Sequence, residues 1–176
     1  MKRYSSVLLI LVLAACAVFG QKSETISIKV YFHNEKLNPN HEDCRKVFPT
    51  ARTIPRTKAV ARASLEELFK GTNPEEEANQ FWAFPPADTK GILKNINVRN
   101  GAAYVNFTKA VYDQLGIATT SCGGGFFSMV EQTLLQFPTI KQVFYAIEGS
   151  PRDFYDWVQV GECPRELGNC SGKNFQ

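Results

Sequence analysis

Histidine is nearly missing from this chain of 176 residues, and cysteine is sparse. There are two histidines, His33 and His41, and five cysteines, and no two cysteines stand at the close C-x2–4-C spacing of structural zinc sites. A metal site is therefore not expected, although His41 lies near Cys44. Charge of one sign is also lacking, with 20 Lys+Arg against 17 Asp+Glu. Two of those cations, Lys2 and Arg3, sit in the N-terminal leader, which leaves 18 against 17. A balance that even gives no electrostatic footprint for nucleic acid, which needs clustered Lys and Arg. The one local basic run, Arg45, Lys46, Arg52, Arg56, Lys58 and Arg62, reads as a solvated surface rather than an anion site. After residue 20 no apolar run approaches the roughly 20 residues that span a bilayer. There is no internal repeat, no low-complexity stretch and no cysteine density of a disulfide-stapled mini-protein. What remains, at 44% hydrophobic and 21% charged, is an ordinary globular composition.

The first twenty residues do carry a pattern. They contain no acid, and Lys2 and Arg3 precede an apolar run from Val7 to Ala15 that ends in small residues. That three-part layout is a secretory signal peptide, which implies export and a compartment permissive of disulfides. Leu13-Ala14-Ala15-Cys16 resembles the lipobox of bacterial lipoproteins, in which cleavage falls just before a cysteine that is then lipidated. Cys16 is thus the candidate lipidation site, and each lipid CH2 buried in the membrane would contribute about 0.8 kcal/mol. The competing reading is ordinary cleavage near Gly20. The expected organisation is a leader over residues 1–20, a single domain over 21–150 and a cysteine-containing tail over 151–176 packed on it.

Within the mature chain, Ile26, Ile28, Val30 and Phe32 alternate with Ser27, Lys29 and Tyr31, the period of a half-buried strand. Residues 34–56 read as a long excursion, with short strand pieces around Val47, Phe48 and Ile54. Thr57 is placed to cap a helix over about Lys58–Lys70, with Ala61, Leu65, Leu68 and Phe69 on one face and Gly71 as its stop. Glu75, Glu76 and Glu77 read as the charged first turn of a short helix, not a chelating cluster, because consecutive residues point apart. Two strands near Ile92–Val98 and Ala102–Phe107 flank Asn100-Gly101, the strongest short hairpin signal, because a type I′ turn needs positive φ at both positions. A short helical turn follows over Lys109–Leu115. A second helix carries Phe126, Met129, Val130, Thr133, Leu134 and Phe137 on one stripe, and Lys141–Ile147 reads as a strand. The order β-α-β-β-α-β predicts a two-layer α+β sandwich, with helices on one face of a small mixed sheet.

These stretches, taken together, resemble the GerMN domain of spore germination and sporulation proteins. The matching segments are ISIKVYF at 26–32, ARASLEELFKG at 61–71, ILKNINVRNGAAYVNF at 92–107 and MVEQTLLQFPTIKQVFYAIEG at 129–149. The resemblance implies a fold like the ring-building motifs of secretion-type assemblies. It also implies a non-enzymatic module of extracytoplasmic, often lipid-anchored, envelope proteins, with no catalytic or cofactor residues to carry over. The chain departs from the pattern in having one copy where the founding member has two, in the SCGGG stretch at 121–125 and in the tail after residue 150.

Four cysteines remain after the leader: Cys44, Cys122, Cys163 and Cys170. Three connectivities are open. The pairing Cys163–Cys170 with Cys44–Cys122 is favoured, a short tail loop contributing about 2.5 kcal/mol and a long-range bridge about 4.5 kcal/mol on the chain-entropy account. The alternative is a reduced Cys122 acting as a nucleophile at the glycine-rich start of a helix, with His33 or His41 as base. The Lys-Ser/Thr that would complete a phosphate loop is missing. Asn106-Phe107-Thr108 and Asn169-Cys170-Ser171 match the glycosylation triplet and are read as coincidence. The aromatic groups Phe81, Trp82 and Phe84, and Phe154, Tyr155 and Trp157, read as satellite core, or as a ligand or partner surface if exposed. The leading expectation is a non-catalytic, membrane-anchored module that binds an unidentified envelope protein or its own copies. It is held by lipid on Cys16, uses no cofactor and contacts no nucleic acid. A thiol enzyme using Cys122 and a glycan or small-ligand binder are the alternatives.

Overall fold

A computed structural model describes residues 24–83, 89, 91–116 and 124–176, apart from the His41 side chain. Strand β1 (Thr25–Asn34) forms the spine of the first sheet. Its alternation puts Ile28, Val30 and Phe32 in the core, at 3%, 0% and 0% exposure. β2 (Phe48–Pro55) runs antiparallel to it, in register from Thr25↔Pro55 to Phe32↔Phe48. The two-residue β3 (Phe81–Trp82) pairs with the other side of β1 only at His33 and Asn34.

The second sheet contains β4 (Leu93–Arg99), β5 (Ala102–Phe107) and β6 (Gln142–Ile147), in the order β4-β5-β6. β4 and β5 form the antiparallel hairpin, and Asn100 and Gly101 take the positive φ of the type I′ turn, 51° and 79°. β5 and β6 are parallel, so this sheet is mixed.

The α+β class holds, but the strands divide into two three-stranded sheets rather than forming one. Helix α4 (Gly124–Leu135) supplies the reason. The carboxamide of Gln136, just past its end, accepts from the Lys29 N–H (2.8 Å) and donates to the Lys29 carbonyl (2.6 Å). Thr133 Oγ1 accepts from the Tyr31 N–H (3.2 Å). Side chains thus occupy the β1 positions that a further strand would have used.

Helix α1 (Val60–Leu68) buries Ala61, Leu65 and Leu68, and the chain turns away at Gly71 with φ 75°. Thr57 is not its cap. The helix starts two residues later than that reading requires, at an Ala59 N-cap without a side-chain hydrogen bond, while Thr57 Oγ1 accepts from the Ala59 N–H (3.1 Å). α2 (Pro74–Ala78) is held by a reciprocal capping box between Asn73 and Glu76. α3 (Ala110–Leu115) follows β5. α5 (Pro151–Trp157) starts from Ser150, whose hydroxyl accepts from the Asp153 N–H (3.2 Å).

The core sits where α4 and α5 meet the second sheet. Phe107, Phe126, Phe127, Tyr145 and Phe154 form a ring-on-ring cluster, with Tyr145 and Phe154 at 4.8 Å and Phe127 and Phe154 at 5.2 Å between centroids. β5 is buried at every position because the sheet is covered twice. The helices cover one face, and the C-terminal 3-10 turn (Gly172–Phe175) lies on the other, with Phe175 edge-on to Tyr104 at 5.4 Å.

Candidate functional site

The cysteines give no free thiol among the described residues. Cys163 and Cys170 are joined, with Cα atoms 5.5 Å apart, and Cys44 is disulfide-bonded. Cys122, favoured as the partner of Cys44 and alternatively as a nucleophile, lies outside the described residues, as does the candidate lipid site Cys16. His33 is 3% exposed and stacks on Trp82 at 4.4 Å. The start of α4 presses on it. A Cβ added at Gly125 would stand 2.7 Å from the Cys44 carbonyl oxygen and 2.8 Å from the His33 ring, so only glycine lets the helix approach. Among the described residues no group of three or more His, Cys, Asp or Glu could hold a metal ion.

The local basic run is not a uniform solvated surface. Arg52 points inward, with 10% of its side chain exposed. It donates to both carboxylate oxygens of the buried Glu76 (3.1 and 2.5 Å), to the Glu67 carbonyl (2.7 Å) and to the Gly71 carbonyl (2.6 Å), and it lies over the Phe32 ring. This clamp joins β2, the end of α1 and α2. Sequence reasoning missed it because its two ends are 24 positions apart. The available signal was an Arg on the inward parity of β2, four residues after Phe48.

The described members of the aromatic groups are packing. Phe154 and Tyr155 are 2% and 8% exposed, and Trp157 meets Tyr112 edge-on. Phe84 lies outside the described residues. Asn106, in the first glycosylation triplet, is 2% exposed and is a structural hub. Its amide donates to Asn95 Oδ1 and to the Phe175 carbonyl, and it accepts from the Gly149 N–H. Asn169 is exposed.

Beside Asn106 the sheet reads the tail's main chain. The Asn95 amide donates to the Phe175 carbonyl (2.8 Å), and the Asn97 amide donates to the carbonyls of Asn174 (3.1 Å) and Gln176 (2.8 Å). On the helix layer, Glu131 accepts from the buried Tyr145 hydroxyl (3.3 Å). Burial pushes the Glu131 carboxyl up, and that hydrogen bond pulls it partly back. Tyr145 is pushed well above its usual range, chiefly by burial, and Tyr155 is pushed up to about 12 for the same reason.

A concavity lies between α1 and β4. A cleft of about 310 Å3 is walled by Lys58–Arg62 of the α1 start and floored by Ile96, Val98, Phe137 and Ile140. A neighbouring one of about 330 Å3 shares Arg62 and reaches Phe69, Lys70 and Leu93. Arg62 spans the gap, donating to the Lys94 carbonyl (3.3 Å) and to Glu66 (2.7 Å). Val98 is 44% exposed at the cleft mouth. None of the described helices is long and apolar enough to cross a membrane.

Comparison with known proteins bears on a chain of this geometry. The family model described as "Germane: Sporulation and spore germination" matches residues 29–153. No curated protein matches the chain. Among solved structures, the tandem GerMN domains of the sporulation protein GerM from Bacillus subtilis align at 21% identity and a TM-score of 0.47, covering 72% of this chain and 40% of that one. The first GerMN domain of the same protein aligns at 19% identity and 0.44, covering 70% and 84%. A candidate lipoprotein from Clostridium perfringens aligns at 15% identity and 0.42, covering 70% and 75%. The chain thus spans less than half the length of the tandem structure.

Proposed function

Because the chain belongs to the sporulation and spore germination (Germane) domain family, whose model covers residues 29–153, we propose that it is a non-catalytic interaction module of the bacterial cell envelope. In this reading it is exported, anchored by lipid on Cys16, and presents its domain to another envelope protein. The family match carries the proposal. The Lys2-Arg3 leader and the Leu13-Ala14-Ala15-Cys16 motif support the location. The oxidised state of Cys44, Cys163 and Cys170 fits an extracytoplasmic compartment.

Intact mass of the protein taken from its native membrane, with and without reduction, tests the anchor. We expect a diacylglyceryl mass on a chain that starts at Cys16, and a gain of hydrogens on reduction. A chain that starts near Gln21, carries no lipid and has free thiols would refute the anchored form.

A further inference from the structure

The strand edges of this protein are not treated alike. The second edge of β1 is filled by Gln136 and Thr133 side chains. The outer edge of β2 runs between Pro49 and Pro55, near its two ends, and carries Arg52 turned inward, which are devices that blunt an edge against pairing. β4 has neither device over its second half. Arg62 holds the Lys94 carbonyl at the bulge, but beyond it the main chain of Ile96–Arg99 pairs only with β5 among the described residues. That open stretch borders the cleft, whose floor takes Ile96 and Val98 from the same strand and whose wall is α1. A groove between a helix and an unpaired strand edge is the setting in which extended peptides add to sheets. Main-chain hydrogen bonds give affinity there, and alternate side chains drop into pockets.

Resting on the interaction-module reading, we propose that the α1–β4 groove binds an extended, acidic-aliphatic segment of a partner protein as an added strand on β4. An aliphatic side chain would sit over Ile96, Val98, Phe137 and Ile140. The charge of the lining sets the flanking chemistry. Lys58, Arg62 and Lys70 line the two cavities, with Glu66 paired to Arg62 and Glu67 paired to Lys70, so the lining keeps a net positive charge centred on Lys58 and the complementary segment is acidic. The same lining argues against a second copy in two-fold β4-to-β4 pairing, which would bring Lys58, Arg62 and Lys70 towards their own counterparts.

The probe is a fluorescein-labelled octapeptide of alternating Glu and Val, with a Lys–Val counterpart, titrated into the full chain. We expect saturable binding of the Glu–Val peptide, at least tenfold tighter than Lys–Val, with amide shifts at Ile96–Arg99 and Ala59–Arg62. Val98→Glu and Lys58→Glu alter exposed positions, and each should weaken binding at least tenfold at an unchanged melting temperature. Equal affinities for the two peptides, absence of saturable binding, shifts confined to other surfaces, or unaltered binding by both variants would overturn the groove. Photo-cross-linking in the native envelope from position 98 and from Glu75 on α2 separates this failure from that of the module reading. Partner cross-links from position 75 alone discard the groove and keep the module. Silence from both positions discards both.

Discussion

Single residues set the local stability of this protein through burial and pairing. The Arg52–Glu76 pair is nearly out of water, at 10% and 5% side-chain exposure. Removing one partner leaves a buried charge, so Arg52→Met should cost about 3–5 kcal/mol, whereas Arg52→Met with Glu76→Leu should recover most of that loss. Urea denaturation of the two variants checks this, and equal losses would show that packing rather than charge sets the cost. Glu131 has the opposite economy. Its folded carboxyl is raised by burial, so its contribution is fully present below the unfolded value and is lost as pH rises through the folded one. Glu131→Gln keeps an acceptor for the Tyr145 hydroxyl and removes the charge. It should melt higher than the parent at about pH 7.5, with the gap closing by about pH 3.5. A gap independent of pH would sink that account. Glu131 was not legible in the sequence, and Arg52 only through its parity with Phe48 on β2. The inward turn of Arg52 depends on a strand partner, and the environment of Glu131 depends on Tyr145, fourteen positions later.

Elements with local signals were legible, and elements defined by distant contacts were not. Asn100-Gly101 announced the hairpin because its backbone requirement is contained in two residues. The apolar stripes of α1 and α4 were equally explicit. β2 was read only as fragments, since an edge strand of sequence FPTARTIP exposes half its residues and buries an arginine. α5 was absorbed into the tail, although Ser150-Pro151 with Asp153 is a helix-start signal. The division of the sheet hangs on two side chains, Thr133, which accepts from Tyr31, and Gln136, which doubles as a strand partner for Lys29. Gln136→Ala should cost about 1–2 kcal/mol and speed hydrogen exchange at the Lys29 amide. It should also expose a β1 edge, so concentration-dependent association by light scattering is the second readout. Unchanged exchange at Lys29 would mean that another group guards this edge.

At the scale of the whole molecule, the family match ends at residue 153, yet the covering of the second sheet does not. Phe175 is 1% exposed, and Tyr104 and the amides of Asn95, Asn97 and Asn106 hold the turn that carries it. The tail is therefore core supplied from outside the matched segment, and the Cys163–Cys170 bridge constrains the loop that delivers it. Phe175→Ala should cost about 3–5 kcal/mol, as for other buried phenylalanines. Cys163→Ser with Cys170→Ser should cost about 2.5 kcal/mol, the chain-entropy value for so short a loop. Both sets of variants should leave α4 and β1 folded longer than β4 and β5 in hydrogen exchange, because the Gly172–Phe175 turn packs on β4 and β5, whereas the tail reaches α4 through Phe154 of α5. If Phe175→Ala instead loosens both sheets together, the tail is part of one cooperative unit and the sheets do not unfold separately. A cost under about 1 kcal/mol would mean that the tail is a removable cover, and the face bearing Asn95, Asn97 and Tyr104 would be accessible in the parent protein.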